Sequence, residues 1–596
     1  MDMVSRMTQD IYNRWTEWES RQLEDPDLTR EMQEIIADPE HRDERIHDCC
    51  YKDLEFGTGG LREIMGVGTN RMNICTVSRA SRGYAAYLKE SLEECRGAGR
   101  TKGIRVAIAY DSRLKSRDFA CISAAVFAAS GFQVYMFPEL APTPMLSYAV
   151  RYLGCDGGVM ITASHNPAQY NGYKVYGPDG GQITGETAKG ISAKISQMDL
   201  FSDENRLGFD AAVQAGKIVY IDNGLVDAYY QAVSGEAFGG RIDRDIKIVY
   251  SPLNGTGLKP VCGVLERNGF TNISVVEEQR EPDGHFPTCP VPNPEKAEAM
   301  ALAIRDAKRL GSQLVLATDP DCDRVGMGVR TSEGDYRLLS GNETGVLLLD
   351  YVARRRRESG TMPAGPISVK TIVTSDLAGK VAQSYGIEMR DVLTGFKYIG
   401  EQIGLLEADG GESRFILGLE ESYGYLSGTY VRDKDGVNAS LLICEMAGYY
   451  SRLGMTLEQV LENLYQRYGY YLNTQYTCTF SGEEGTRRME VLMEEIRREM
   501  VSFPDFAGNR MVKADDYWHS CSYLAEGEKI SLKLPASNVV KMTWEDGSTL
   551  TVRPSGTEPK LKIYITAIDE TREKALHKEQ KMKQEIWFLP EILRKN

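Results

Sequence analysis

Short apolar, β-branched runs alternate with longer amphipathic stretches through most of the chain. Arg105–Ala109, Val134–Phe137 and Gly158–Thr162 have the brevity and apolar continuity of buried strands, whereas Phe119–Ser130 carries the spacing of a helix. The alternation restarts twice. Ile246–Tyr250 reads as a strand feeding the turn SPLNGTG, with helix-like Leu258–Asn268 and the strand Gln313–Ala317 after it; Ile367–Val373 and Phe415–Leu417 are strands among further helices. Such alternation predicts α/β units with largely parallel pairing. From about Tyr470 the texture changes: Ser531–Leu534 and Lys562–Thr566 read as short strands and Glu484–Met500 as a helix. Up to about Cys50 the chain is charged and poor in Gly and Pro, the signature of a helical extension.

The pattern therefore predicts an α/β protein: three similar α/β domains with mixed sheets plus a C-terminal α+β domain. The expected boundaries are 1–222 (including the helical extension), 223–335, 336–465 and 466–596. No low-complexity linker separates them, so the domains are expected to pack around a shared central cleft. The length of 596 residues accommodates this count at ~100–200 residues per domain.

Composition narrows the function. With 42% hydrophobic and 26% charged residues the chain reads as a folded, soluble protein and not a disordered one. A formal net charge of −15 argues against nucleic acid as a partner. The one dense basic run, Arg354–Arg357, follows the apolar stretch Val346–Val352 and reads as the solvated end of a helix. The 12 cysteines are scattered without a C-x-x-C, which suits a reducing compartment better than a disulfide framework or a zinc site. The first 21 residues hold no apolar signal core, and no run approaches the ~18 apolar residues of a membrane span, so a cytoplasmic protein without membrane contact is expected.

Four clusters of loop residues carry chemistry. DPDCDR, Asp319–Arg324, follows the strand QLVLA and spaces three carboxylates by two, so that they can converge on one hard cation. It is not an EF-hand, because Arg324 and Arg330 stand where that loop needs Gly and Glu. Three Asp alone leave such an ion short of ligands, which points to a phosphate oxygen as a further one. A solvated acidic turn is the plain alternative. TASHNP, Thr162–Pro167, holds Ser164 on a turn after GVMI; Ser164 is a candidate nucleophile or phosphoryl carrier, with a simple hydroxyl-stabilised turn as the alternative. No elbow glycines flank it, so a hydrolase triad is not indicated. RPSGTEPK, Arg553–Lys560, offers a guanidinium, two hydroxyls and backbone N–H groups to a phosphate, although a plain turn would look the same; the glycines of FGTGGLR, Phe56–Arg62, would also let backbone approach a ligand. GLEESYGY, Gly418–Tyr425, and RDKDG, Arg432–Gly436, offer carboxylates for sugar hydroxyls and a lysine for phosphate or proton transfer, or else simply cap helices.

Together, and in their order along the chain, the loops resemble the α-D-phosphohexomutase family of phosphoglucomutases and phosphomannomutases. YDSR (Tyr110–Arg113), SPLNGTG (Ser251–Gly257), PDGHFP (Pro282–Pro287), PNPE (Pro292–Glu295) and TGFKYIG (Thr394–Gly400) add to the likeness, which spans nearly all of the chain beyond the extension. Its length and the LEESYGY form are closer to the longer bacterial phosphoglucomutase and phosphopentomutase branch.

The resemblance implies a phosphoglucomutase that interconverts glucose 1-phosphate and glucose 6-phosphate, with mannose phosphates as secondary substrates, through a phosphoserine enzyme and a glucose 1,6-bisphosphate intermediate. Ser164 would carry the phosphoryl group. Asp319, Asp321 and Asp323 would hold one Mg²⁺ per chain, with a Ser164 phosphate oxygen as further ligand. Arg62, His165, Lys174 and Arg324 would surround the transferring group. Thr394, Gly395, Glu420 and Ser422 would recognise the sugar; Arg553, Ser555, Gly556 and Thr557 would grip the other phosphate; and Lys434 would be a phosphate contact or the general base. Glucose 1,6-bisphosphate would be the activator, sugar phosphates the small-molecule partners, and the assembly a monomer or homodimer.

Because the bisphosphate turns end for end between two transfers, one end needs a non-reactive clamp while the other faces Ser164. Two positions depart from the family pattern. Cys322 replaces a smaller residue inside the metal loop, and Gly60 follows Gly59 where relatives have Ser before their Gly. Neither changes a ligand. A phosphopentomutase or sugar-bisphosphate synthase of the same fold, and a non-catalytic sugar-phosphate-binding protein, are the competing readings.

Overall fold

The computed structural model describes residues 9–57, 59–96, 103–202, 207–480, 482–506, 508–554, 560–586 and 588. Two compact units make up the chain: Met1–Gly328 with Gly400–Glu412 and Gly424–Gly448, and Val329–Ile399 with Ser413–Tyr423 and Tyr449–Asn596.

The first unit opens with the expected helices, Gln9–Glu19, Pro26–Ile36 and Arg42–Cys50. Asp25 starts the second by accepting from Asp27 N, with Pro26 in the first turn, where its missing N–H costs nothing. Their apolar stripes bury Trp15 and Trp18 completely, against Ile46 and Cys50 and against Val67, Leu200 and Phe201 of the α/β body. At ~150–250 Å² per aromatic and ~25 cal/mol/Å², each indole contributes roughly 4–6 kcal/mol of transfer free energy. Arg14 and Arg79 also share Asp53. The extension is thus a cover for the first α/β domain.

The first sheet runs Gly60–Ile64, Tyr170–Tyr176, Gly157–Ile161, Arg105–Tyr110, Gln133–Met136, Ile218–Tyr220. The first two pairings are antiparallel and the others parallel, so the sheet is mixed. Its central strands GGVMI and RVAIAY are buried at almost every position, which is why they read as continuous apolar runs. In the second sheet Ile248–Ser251 pairs in parallel with Ile273–Val275 on one side and Leu314–Thr318 on the other. Parallel pairing brings the carboxyl ends of strands to one edge of each sheet, the place where α/β proteins build sites.

In the second unit Ile367–Thr371 lies between Glu388–Val392 and Phe415–Glu420, parallel to both. The C-terminal sheet has seven strands, antiparallel throughout, in the order Tyr470–Thr479, Lys560–Asp569, Thr549–Pro554, Val540–Trp544, Met511–Asp516, Cys521–Leu524, Lys529–Ser531. Helices Gly482–Met500 and Arg572–Glu585 accompany it, with Met493, Ile496, Trp544 and Ile563 in the core.

Two sequence expectations need correction. The strand expected at Ser531–Leu534 is Lys529–Ser531. Leu532 and Leu534 alternate with Lys533 because they pack on Ile372, Val373 and Tyr517, and Pro535 cannot continue a ladder. Arg354–Arg357 do end a helix, Gly341–Ser359, but they are not simply solvated. Arg355 stacks 4.9 Å from the Tyr449 ring centroid, Arg357 4.5 Å from that of Tyr385, and Arg354 pairs with Asp350.

Lys370, 2% exposed on the middle strand of the third sheet, is paired with Asp376 at 2.8 Å and Asp391 at 3.1 Å. Burial alone would raise the Asp376 pKa, but Lys370 and Lys541 outweigh it and hold the carboxyl below its usual range. A depressed carboxylate stabilises the fold fully above its unfolded pKa of ~4 and loses that contribution as pH falls toward its folded value. Lys370→Met is therefore expected to cost about 1 kcal/mol in urea unfolding at neutral pH, because Asp376 and Asp391, left without it, are 38% and 43% exposed and regain water. The deficit should narrow only well below pH ~4, where wild type loses the same interaction.

Candidate active site

The first unit assembles its chemistry where the strand Gly157–Ile161 ends. Ser164 has φ +52°, a left-handed conformation uncommon outside glycine, and is only 3% exposed. Thr162 Oγ1 accepts from Ser164 N at 2.8 Å and donates to Asp111 Oδ2 at 2.6 Å, so the hydroxyl-stabilised turn and the candidate site are the same structure. Arg113, 3% exposed, holds the loop from beneath. It donates to the carbonyls of Ser164 at 2.5 Å, Pro167 at 2.9 Å, Tyr170 at 3.1 Å and Asn166. The Ser164 hydroxyl then donates to Asp319 Oδ2 at 2.6 Å and lies 3.2 Å from His165 Nδ1.

Asp319–Arg324 follows the strand Leu314–Thr318, as expected, and turns on itself: Asp319 Oδ1 accepts from Asp323 N at 3.2 Å and Arg324 N at 3.1 Å. Cys322 supplies the turn with φ +51° and is fully buried, its Sγ 3.1 Å from where a Cβ on Gly257 would lie. Thr256 fixes Pro320 O through both its N–H at 2.8 Å and its hydroxyl at 2.9 Å. Thr143 does the same for Asp321, from its N–H to Asp321 O at 2.9 Å and from its hydroxyl to Oδ2 at 2.8 Å.

The three acids are buried, and each can offer an oxygen within 4.8 Å of the others. Asp321 Oδ1 and Asp323 Oδ1 are buried without a hydrogen-bond partner. Buried carboxylate oxygens without donors are costly, and a hard divalent cation is what all-oxygen ligands of this kind fit. The loop can hold a metal ion. Burial and the neighbouring Asp321 and Asp323 raise the Asp319 pKa well above the usual range. For Asp321, burial is outweighed by Lys174, and its pKa is lowered.

Cations close the site. Lys174 Nζ is 2.8 Å from Asp321 Oδ2 and 3.4 Å from Asp323 Oδ2, and Lys434 Nζ is 3.0 Å from Asp323 Oδ2. Arg324 pairs with Glu295 at 2.8 Å, and Arg62 reaches Asn166 Oδ1 at 3.5 Å. Burial first, then the charges of Arg324 and Arg62, push the His165 pKa well below the usual imidazole range, so its ring is held neutral. The Arg62 strand begins at Gly60, where φ is +123° and a Cβ would fall 1.8 Å from Tyr173 O; only glycine fits. Ser164, His165, Lys174, Asp319, Asp321, Asp323, Arg324, Lys434 and Arg62 are thus gathered at one place.

In the second unit Thr394 and Gly395 follow the strand Glu388–Val392, and Glu420 ends Phe415–Glu420, so both loops leave the same edge of the third sheet. No helix begins at Glu420–Ser422. The turn sits against Gly341, whose missing Cβ would lie 2.1 Å from Glu421 O. Glu420 is 4% exposed, and Thr394 Oγ1 is buried with no hydrogen-bond partner, a hydroxyl left available to a ligand. In the first unit, helix capping does apply to Asp435, which accepts from Val437 N at 2.8 Å and Asn438 N at 3.0 Å at the start of Gly436–Arg452. Arg553 lies half-buried on Thr549–Pro554; Ser555, Gly556 and Thr557 lie outside the described residues.

Sequence reasoning gave no role to Arg113, Asp111, Thr143 or Tyr176. A charged pair directly after the buried strand RVAIAY was a usable signal for Asp111 and Arg113. Nothing local marks Thr143, whose partner is 178 residues away, or Tyr176, which donates to Asp433 Oδ2 at 2.8 Å beside Lys434.

Family profiles match along the chain in order: phosphoglucomutase/phosphomannomutase alpha/beta/alpha domain I over residues 53–201, domain II over 227–334, domain III over 340–468, and the C-terminal domain over 512–580. A phosphoglucomutase of Staphylococcus saprophyticus is 35% identical over 515 residues, covering 86% of this chain and 90% of the relative. One of Staphylococcus aureus is 33% identical over 517 residues, covering 86% and 89%. Among solved structures, a phosphoglucomutase/phosphomannomutase family protein from Burkholderia thailandensis shares the fold at a TM-score of 0.63 and 17% identity, covering 89% of this chain and 97% of that one. Among the described residues no helix is long and apolar enough to cross a membrane. Matched by all four domain profiles and over most of its length, the chain belongs to the phosphoglucomutase/phosphomannomutase family of enzymes.

Proposed function

We propose that the chain is a cytoplasmic phosphoglucomutase that interconverts glucose 1-phosphate and glucose 6-phosphate, with mannose phosphates as secondary substrates, in the four domains bounded at 222, 335 and 465. The observation that carries this reading is the placement of Ser164 Oγ, held on a left-handed turn 2.6 Å from Asp319 Oδ2 with His165 and the acid loop around it. The names of the Staphylococcus relatives support the choice of sugar.

In this reading Ser164 carries the phosphoryl group. Transfer forms a bond from a sugar hydroxyl oxygen to phosphorus and breaks the Ser164 Oγ–P bond. The sugar hydroxyl proton leaves to a base, a role this reading assigns to Lys434, a proton returns to Ser164 Oγ as its bond to phosphorus breaks, and the second half-reaction runs the exchange in reverse at the other end of glucose 1,6-bisphosphate. Asp319, Asp321 and Asp323 would hold one Mg²⁺, which when bound supplies electrostatic stabilisation of the charge on the transferring group. Lys174, Arg324 and Arg62 add positive charge around the same oxygens, and Arg113 and Thr162 keep the Ser164 backbone still. Thr394, Gly395, Glu420 and Ser422 bind sugar hydroxyls; Arg553 with Ser555, Gly556 and Thr557 holds the phosphate that does not react.

The test is a coupled assay of the purified chain with Mg²⁺ and a trace of glucose 1,6-bisphosphate on glucose 1-phosphate, mannose 1-phosphate and ribose 1-phosphate. The expected order places glucose first. A preference for ribose 1-phosphate would make the enzyme a phosphopentomutase, and no turnover with any of them would remove the mutase reading.

A further inference from the structure

The loop Thr371–Asp376 lies between two parts of the second unit. On one side the hydroxyls of Thr371 and Thr374 sit 2.9 Å and 3.2 Å from Glu421 Oε2, next to the proposed sugar residues Glu420 and Ser422. On the other side Lys541, from the C-terminal sheet, donates to Ile372 O at 3.1 Å and lies 3.5 Å from Asp376 Oδ2. Asp376 is itself fixed by Lys370 at 2.8 Å. Around these polar links Ile372, Val373 and Leu393 pack on Tyr517, Val539 and Tyr564, and Leu393 immediately precedes Thr394.

The C-terminal sheet converts this docking into a fixed distance. Lys541 is opposite Thr551, Thr551 is opposite Tyr564, and Arg553 is opposite Lys562, so Lys541, Thr551, Arg553, Lys562 and Tyr564 share one face. The rung pinned to the loop is Lys541–Thr551–Tyr564. The next rung on that face, two residues or ~7 Å along, carries Arg553 and Lys562. The sugar turn and the phosphate strand are therefore referred to the same short loop, from opposite sides.

We infer that Lys541 is a specificity-determining positioning residue: by pinning the C-terminal sheet to the loop Thr371–Asp376 it sets the span between the sugar-binding turn and the Arg553 phosphate grip, and so selects hexose phosphates over the shorter pentose phosphates. The inference rests on the function proposed above. A span fitted to a six-carbon sugar reads chain length without contacting the extra carbon, and loosening the pin blurs that reading while leaving the Ser164 and acid-loop geometry untouched.

The experiment compares full-length wild type with Lys541→Met and Lys541→Arg on glucose 1-phosphate and ribose 1-phosphate. Lys541→Met should raise KM for glucose 1-phosphate about tenfold with kcat within about threefold, and the preference in kcat/KM for glucose over ribose should fall about tenfold. Lys541→Arg should recover most of the preference. The double change Thr371→Val with Thr374→Val removes both hydroxyl links to Glu421 on the far side of the same loop and should lower the preference in the same way, which preserves the test if Lys541→Met does not fold. An unchanged preference in a variant of normal melting temperature, an equal KM rise for both sugars, or a fall in kcat alone would overturn the inference. Wild type inactive on both sugars would instead sink the function on which it rests.

Discussion

Replacing Ser164 by alanine should abolish mutase turnover, by more than ~10⁴-fold, and leave the protein folded. The side chain lost is a single hydroxyl whose partners are Asp319 Oδ2 and His165 Nδ1, whereas the turn itself is held by Thr162 and by the four carbonyl contacts of Arg113. Those contacts use backbone, so Ser164→Ala keeps them. A melting temperature within a few degrees of wild type should accompany the loss, since the change removes one hydrogen bond worth roughly 1–2 kcal/mol. Turnover retained at a tenth of wild type or above would mean that phosphate does not pass through this residue.

Asp321→Asn is expected to cost about 10³-fold in turnover, and excess Mg²⁺ should not restore it. Asp321 has one oxygen without a hydrogen-bond partner and the other shared between Thr143 and Lys174. The amide keeps the size but removes the charge that both Lys174 and a divalent cation need. The cleaner readout is thermal. Wild type should gain stability as Mg²⁺ is added, by ~2.7 kcal/mol at a hundred times its Kd, and lose the gain with EDTA, while Asp321→Asn should show neither response. A wild type indifferent to Mg²⁺ and EDTA would contradict the assignment of the acid loop.

Much of the fold was legible because buried parallel strands leave a strong trace. RVAIAY, GGVMI and LVLAT lie within sheets and read as continuous apolar runs, and each is followed by a loop that bears chemistry. The extension was legible as helices, but its purpose was not: Trp15 and Trp18 show an apolar stripe, and only the packing shows Val67 and Phe201 as what the stripe covers. Leu532 and Leu534 misled because alternation with Lys533 is the period of a strand, and the same period serves a loop that packs every second side chain. The basic run Arg354–Arg357 misled because tyrosines distant in sequence, Tyr385 and Tyr449, lie under two of its guanidinium groups.

The site divides in the same way. Residues that carry chemistry stand in compact motifs, so Ser164, His165 and the three Asp could be found one loop at a time. Residues that aim them do not: Thr143 and Thr256 fix the acid loop from other segments, and Tyr176 reaches Asp433 across 257 residues. Lys174 is intermediate, a lysine inside the strand Tyr170–Tyr176 that apolar patterning alone does not explain and that its two carboxylates do.

The central claim is that Ser164 carries the phosphoryl group, and mass spectrometry of the wild-type chain tests it most directly. After incubation with glucose 1,6-bisphosphate and Mg²⁺, the intact protein should gain one phosphoryl group, mapped to the peptide containing Ser164, and addition of glucose 6-phosphate should remove it. Phosphate on another residue, or none under conditions where the enzyme turns over, would contradict the account.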